Sequence, residues 1–425
     1  MEPKEKFQAP RGTHDALPDE TPRWLWLEGK FRHLCAIYRY GEIRTPLFES
    51  SDVIHRTSGA GSDIVSKETY DFTDRGGDAM TLRPEGTAPV LRAAIEHGLL
   101  SESPLVRLAY VAPMFRYDRP QKGRFRQHHQ VGIEALGADD PAIDAEVIAF
   151  SAQFLQDLGI AGATLRVNSV GSSADRPRYR EALVDYFTPL KDQLSEDSQR
   201  RLETNPMRIL DSKAREDRAA AEGAPTLFEV MDPENKDHFA AVQGHLDRLG
   251  IAYTVDPYLV RGLDYYTRTA FEWAHPGLGA QSSIGGGGRY NGLVEALGGP
   301  PTPGIGWGMG IERLLLAVEA SGVEPAAGPP LDVYVVAAGE DARDDALVMV
   351  QEARGLGLRA DFDPLHRSVK AQMKSAGKQD ARFVLLRGED ELANGTVTLR
   401  DMKNQGQTTV PRENIARTVQ NLLMA

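Results

Sequence analysis

Cysteine is almost absent: Cys35 is the only one in 425 residues, which excludes a disulfide framework and a thiolate zinc site. Histidine is sparse, with ten residues and no HExxH or HxxxH spacing, so no metal site is expected. Positive charge is in deficit. The 49 basic side chains face 61 acidic ones for a formal net charge of −12, which argues against a protein that coats nucleic acid non-specifically and leaves room for a local basic site. Long apolar runs are missing too. The charge-free stretch Ala296–Ile311 holds nine Gly or Pro in sixteen residues and cannot form a membrane helix. Met1–Gln8 alternates charges where a secretory signal carries an apolar core, so a cytoplasmic setting without a membrane partner is expected. No GxxxxGK[ST] occurs, because Gly29-Lys30 and Gly377-Lys378 lack the following Ser or Thr, and no GxGxxG opens a helix. A bound nucleotide is therefore not held by a P-loop or a Rossmann turn.

What is there reads as globular: 41 % apolar and 26 % charged residues, in a length suited to two or three domains. Gly322–Pro330 (GVEPAAGPP) lacks apolar periodicity and reads as a linker, assigned to 323–330. Beyond it, Leu331–Ala337 and Arg382–Arg387 look like strands and Asp341–Leu356 like a helix. A second helix is expected from Asp363, with Pro364 at its first position and Gly377 as its stop. This alternation predicts an α/β domain over 331–425. Earlier, Thr21-Pro22 starts a helix whose Leu27, Phe31, Leu34, Cys35 and Tyr38 share a face. Thr69–Thr73 and Ala79–Arg83 flank a hairpin turn at Asp74-Arg75-Gly76-Gly77. Further strands are expected at Leu105–Ala112, Arg124–Leu136, Ala163–Val167 and Tyr258–Trp273. The charged, strand-poor stretch 172–255 reads as a helical insertion, which leaves 1–171 and 256–322 as an α+β domain with a mostly antiparallel sheet.

Three stretches set arginine beside aromatic and acidic residues: Phe115–Asp118 (FRYD), Val260–Tyr266 (VRGLDYY) and Gly306–Arg313 (GWGMGIER). Singly, each has an ordinary reading. Arg116 suits a surface salt bridge, Tyr265-Tyr266 a strand pair, and the glycines a loop before a helix. Glycine at every second position is unusual for a loop, because it strips one strand face of side chains and lets a flat ligand or another backbone approach.

Jointly, and in this order, the stretches resemble the class II aminoacyl-tRNA synthetases, and within them the histidyl-tRNA synthetase family. Arg44–Glu49 (RTPLFE) resembles motif 1, Tyr110–Glu134 motif 2, and Gly306–Arg313 motif 3. Arg261–Tyr266 with Arg268-Thr269, and Ser283–Tyr290 (SIGGGGRY), resemble the two histidine signatures; Arg11–Asp15 (RGTHD) and Arg83–Thr87 (RPEGT) also fit. The resemblance runs from about Pro10 to the C-terminus.

It implies ligation of L-histidine to histidine tRNA through a histidyl-adenylate, with ATP and Mg²⁺, by a homodimer formed around motif 1. The chemistry is consistent: joining a carboxylate to the α-phosphorus requires neutralised charge on the phosphoryl group and on pyrophosphate, which guanidinium forks supply. By resemblance, Arg116 grips the α-phosphate, Arg261 lies opposite, and Arg313 covers the adenine and reaches the γ-phosphate. Glu134 and Tyr266 take the two ring nitrogens. Glu85, Gly86, Thr87 and Gln130 surround the α-ammonium, with Tyr265 supporting. Asp118 and His128 fall on ATP-binding positions where Glu and Phe are usual, so a modestly altered ATP affinity is expected, with function kept.

The loop Arg119–Arg126 carries Arg119, Lys122, Arg124 and Arg126 without an acid. It reads either as a solvated hairpin tip or, by resemblance, as a contact for the tRNA acceptor end. In His366–Arg387 six cations face only Asp380, and Arg367, Lys370 and Lys374 are expected on one helix face. The resemblance assigns that tail to anticodon binding. A rival of another class is a synthetase-like regulatory subunit of histidine biosynthesis; such paralogues typically lack the tail and lose motif arginines, which this chain keeps.

Overall fold

The computed structural model of the chain describes residues 7–58, 67–119, 121–210, 212, 214–259, 262–279, 282–325, 328 and 330–424. Two compact units divide it, Met1–Pro325 and Ala326–Ala425. Among the described residues no helix is long and apolar enough to cross a membrane.

The first unit opens on helix Thr21–Tyr38, with Leu27, Phe31, Leu34 and Cys35 buried on its inner face. Strands follow in chain order: β1 (Gly41–Glu42), β2 (Phe48–Ser50), β3 (Tyr70–Thr73), β4 (Ala79–Leu82), β5 (Val106–Phe115), β6 (Gln127–Leu136), β7 (Thr164–Ser169), β8 (Thr254–Val255), β9 (Thr267–Ala274), β10 (Ser283–Arg289) and β11 (Gly304–Gly310). Eight of them form one sheet in the order β1-β5-β6-β11-β10-β9-β7-β8. It is antiparallel except for the short outer pairs β1–β5 and β7–β8. One face packs on helices Thr21–Tyr38 and Pro141–Asp157 through Phe31, Phe150, Phe154 and Trp307. A separate sheet, β2-β4-β3, holds the expected hairpin.

Between β7 and β8 the described chain is helical. Its first part, with Tyr179, Leu183, Phe187 and Leu202, shares a second core with Val170, Tyr266 and Ala270, whereas helix Pro233–Arg248 buries Phe239, Val242 and Leu246 in the main core.

Two expected strands are shorter in the structure. Arg124–Leu136 narrows to Gln127–Leu136, because Arg124 turns back to Gln121. Tyr258–Trp273 narrows to Thr267–Ala274, since the carbonyls of Asp264 and Tyr266 are taken by the Arg176 guanidinium instead of a neighbouring strand.

Arg289, at the end of β10, is fully buried with Asp144 of helix Pro141–Asp157. Its Nε lies 3.1 Å from the carboxylate and its Nη1 donates to Ala138 O at 2.8 Å. Cutting one partner from such a pair leaves an uncompensated buried charge, which typically costs about 3–5 kcal/mol. Arg289→Met is therefore expected to lower the urea midpoint by that equivalent. Adding Asp144→Asn should recover part of the loss, and a double variant no better than the single would show that the pair is not what matters.

The second unit holds β12 (Val333–Ala337), β13 (Ala360–Phe362), β14 (Phe383–Arg387), β15 (Thr396–Asp401) and β16 (Gln407–Pro411) in the order β13-β12-β14-β15-β16. The first three pair in parallel and the rest antiparallel. The helix expected from Asp363 begins at Val369, capped by the Ser368 hydroxyl. Asp363 instead accepts from Leu365 N and Arg367 Nε, and His366 takes a positive φ of 56°, so the chain turns once more before the helix. Arg367 thus lies outside the helix, and only Lys370 and Lys374 share its face. The expected block of six cations is also thinner than it reads: Arg367, Arg382 and Arg387 are ion-paired with Asp363, Asp401 and Asp345.

Candidate active site

The alternation of β5, β6, β11 and β10 decides what faces the cleft. The register sets Gly306 opposite Glu134, Gly308 opposite Gly132 and Gly310 opposite Gln130, while Ile305, Trp307 and Met309 point into the core. On the other side of β11, Gly286 and Gly288 lie beside Gly308 and Gly306. The glycines before Arg313 are therefore a strand, not a loop, and they form a floor without side chains.

A ring of polar groups stands around that floor. Glu134 is fully buried. Its Oε1 accepts from Thr87 Oγ1 at 2.7 Å and its Oε2 from Tyr290 OH at 2.5 Å. Burial pushes its carboxyl up to about 8, against the pull of those two hydroxyls. Glu85 accepts from Thr87 N at 2.6 Å and Ala88 N at 2.8 Å, capping helix Thr87–Glu96. Burial raises its pKa as well, with the two amides and Arg116 opposing. Tyr265 and Tyr266 pack together with ring centroids 4.7 Å apart, and Tyr265 meets Tyr290 edge-on at 6.0 Å.

Gly86 and Gly132 leave room for the Tyr110 ring: a Cβ on either would come within 2.4 Å of it. The Tyr110 hydroxyl and the Gln130 amide both lie over Gly308. The structure thus brings Glu85, Gly86, Thr87, Gln130, Glu134, Tyr265 and Tyr266 into one cluster.

The arginines gather at another end. Arg116 follows β5 and donates to Pro84 O at 2.7 Å, so it is held by the RPEGT turn. Arg313 donates to Ser283 O at 2.6 Å, and the motif 2 loop folds onto it, with Gly123 against Leu316 and the Arg313 side chain. A cavity of about 330 Å³ lies there, lined by Lys122, Arg313, Leu316 and Glu319 among others. Arg124 reaches Asp118 at 3.4 Å and lowers the pKa of Arg313, after the larger effect of burial. His128 sits among Arg116, Arg124 and His129; burial and those charges push its imidazole down to about 3, so the ring is neutral. Glu312 accepts from His129 N at 2.9 Å and its Nδ1 at 3.1 Å, fixing the head of helix Ile311–Ala320 to β6. Arg119 is exposed, with its amide bonded to Asp118. Arg261 lies outside the described residues.

Some signature residues prove structural. Arg83 binds Pro113 O, Thr45 O and Pro46 O, stapling motif 1 to β5. Arg268 holds a positive φ of 49° and ties Asn235 and Asp139 together. Conversely, Tyr110 and Tyr290 belong to the cluster, although the motifs assign neither of them to the site. The signal for Tyr110 is its even spacing from Ala112 and Met114, which gives a face only once the register is known.

Matches to known proteins agree with this geometry. A family model described as histidyl-tRNA synthetase covers residues 12–314, and one described as anticodon binding domain covers 332–422. A histidine–tRNA ligase from Streptococcus sanguinis is 48 % identical over 98 % of each chain. Another, from Desulforudis audaxviator, is 52 % identical over 94 % of this chain and 95 % of its own. Among solved structures, apo histidyl-tRNA synthetase from S. aureus superposes with a TM-score of 0.82 at 40 % identity, covering 97 % of this chain and all of that one. These matches carry the class II α+β fold with its appended anticodon-binding domain over nearly the whole chain, and the chain belongs to the histidyl-tRNA synthetase family.

Proposed function

We propose that the protein is a histidine–tRNA ligase that activates L-histidine with MgATP and passes the histidyl group to its cognate tRNA. The observation that carries the reading is the buried carboxyl of Glu134, ringed by the Thr87 and Tyr290 hydroxyls beside Tyr266, on a glycine floor whose far end is edged by arginine. In the first step a histidine carboxylate oxygen attacks the α-phosphorus, and the bond to the β-phosphate breaks with its electron pair leaving on pyrophosphate. In the second, a hydroxyl of the terminal tRNA nucleoside attacks the acyl carbon and AMP departs.

Glu134 and Tyr266 meet the imidazole nitrogens, and a pocket that satisfies both rejects side chains lacking them. Glu85, Gly86, Thr87 and Gln130 surround the α-ammonium, with Tyr265 packed behind. Arg116 and Arg313 neutralise the phosphates, and Arg261 joins them on the strength of its motif. The neutral ring of His128 offers the adenine a stacking face, and Asp118 holds Arg124 in that region. Mg²⁺ travels on the β- and γ-phosphates as part of the substrate.

For the tRNA, the acceptor end meets Arg119, Lys122 and Arg124. Lys370 and Lys374, with the exposed Arg367, offer cations to the anticodon arm. Leu47, Phe48 and Phe72 are exposed around motif 1, where apolar side chains on a small sheet suit a homodimer interface. The catalytic core is assigned to 1–171 and 256–322, the insertion to 172–255, of which helix Pro233–Arg248 and β8 join the core by packing and pairing, the linker to 323–330 and the anticodon-binding domain to 331–425, working in the cytoplasm.

The test is ATP–pyrophosphate exchange with each amino acid separately, without tRNA. Histidine alone should support exchange; histidine binding without exchange would favour the regulatory subunit instead. Arg116→Gln should slow exchange by about 10²–10³-fold, the usual cost of one transition-state donor.

A further inference from the structure

A cavity of about 1020 Å³ lies between the inserted helices and Gly262–Tyr266. The outer side of this histidine-signature loop therefore borders open space over Gly262, Leu263 and Asp264, and two arginines reach it across the cavity wall. Arg176, the second residue of helix Asp175–Phe187, donates from Nη1 to Asp264 O at 2.8 Å and from Nη2 to Tyr266 O. Arg208 reaches the Asp264 carboxylate at 3.3 Å.

The base of Arg176 is rigid. Next to it, Asp175 is fully buried and its carboxylate accepts from Ser172 N at 2.8 Å, Asp232 N at 2.9 Å and Asn235 Nδ2 at 2.5 Å. Asn235 lies in helix Pro233–Arg248, which packs into the main core. The Arg176 guanidinium is thus referenced to the core by one chain of bonds and to the Tyr266 backbone by another. Among the described residues no carboxylate is hydrogen-bonded to it and its Nε finds no partner. Half-buried at the cavity wall, the guanidinium spends its hydrogen bonds on backbone carbonyls, with the Asp264 charge acting on it only through space, which fits a residue kept to place a loop better than one kept for an ion pair.

We infer that Arg176 is a positioning residue: by holding the carbonyls of Asp264 and Tyr266, it sets the Tyr266 ring for histidine and couples the inserted helices to the amino-acid pocket. This rests on the proposed histidine activation. Its consequence is selective, because the loop borders the amino-acid cluster while the ATP end is held by Pro84 O and Ser283 O.

The experiment is exchange kinetics on full-length Arg176→Met and Arg176→Lys, with the KM for histidine and for ATP taken separately and the thermal midpoint recorded. Arg176→Met should raise the histidine KM by about tenfold or more, with ATP KM within about twofold. Arg176→Lys keeps charge and stem but reaches one carbonyl, and should fall between it and the native protein. The lysine variant also carries the test if the methionine variant does not fold. An unchanged histidine KM, or histidine and ATP KM rising together, would overturn the assignment. Absence of histidine-dependent exchange in the native protein would strike the functional reading itself, a distinguishable failure.

Discussion

Glu134→Gln is expected to reduce histidine-dependent exchange by about 100-fold or more in kcat/KM, since a site built to hydrogen-bond a polar ring is left with an amide of fixed polarity. It should also change how stability depends on pH. Burial puts the Glu134 carboxyl at about 8 in the folded protein, against 4.5 for an ordinary glutamate. Between those values the folded state keeps a proton that the unfolded chain releases, so stability falls as pH rises through the window from about 4.5 to 8. Glutamine does not titrate. The unfolding free energy of Glu134→Gln relative to the native protein should therefore improve by a few kcal/mol, roughly one per pH unit, between pH 5 and pH 8. Denaturant titrations at four pH values measure this. A difference that stays constant with pH would mean the carboxyl is not held protonated.

The glycine floor gives a second large effect, and two neighbouring positions separate its two roles. A methyl on Gly306 would sit 1.9 Å from Glu134 Oε2 and 2.4 Å from the Ile133 carbonyl, so backbone as well as side chain has to move. Gly306→Ala should lose exchange activity and destabilise by about 1–3 kcal/mol or more. A methyl on Gly308 meets nothing nearer than 3.5 Å, where the Tyr110 hydroxyl and Gln130 amide lie. Gly308→Ala should fold with a nearly native midpoint and still raise the histidine KM by about tenfold, because the added carbon occupies ligand space. If Gly308→Ala binds histidine normally, the floor is a packing feature only. If both variants are equally unstable, the register that sets Gly308 towards the cleft is at fault.

Apolar spacing located helix Thr21–Tyr38 and its buried face, and the turn residues located the β3–β4 hairpin, because both signals are local. Motif letters marked residues that the structure gathers into one cluster. They did not show which arginines tie distant segments together: the partners of Arg83, Arg268 and Arg289 are legible only once the carbonyls and carboxylates around them are in place. Nor did they reveal Tyr110, whose membership depends on pairing with Gly132. The stretch before β9 reads as strand by its aromatics, yet a distant arginine takes the carbonyls that a strand would need. Asp363 and Ser368 are both good helix caps, and only the turn at His366 decides for the second.

The path of the chain through the large sheet also bears on how the protein is made. β6 is bordered by β5, which precedes it closely, and by β11, which leaves the ribosome about 170 residues later. At about 5–20 residues per second, that is roughly 10–35 s during which one side of the central strand has no partner. The inserted helices are synthesised within this interval and supply most of a second core, which Tyr266 and Ala270 complete. The unpaired edge of β6, rich in Val131, Ile133 and Leu136, is the segment most in need of protection while translation runs. Slowing synthesis between β7 and β9 should therefore lengthen the exposure of that edge and reduce soluble yield, even with the amino-acid sequence unchanged.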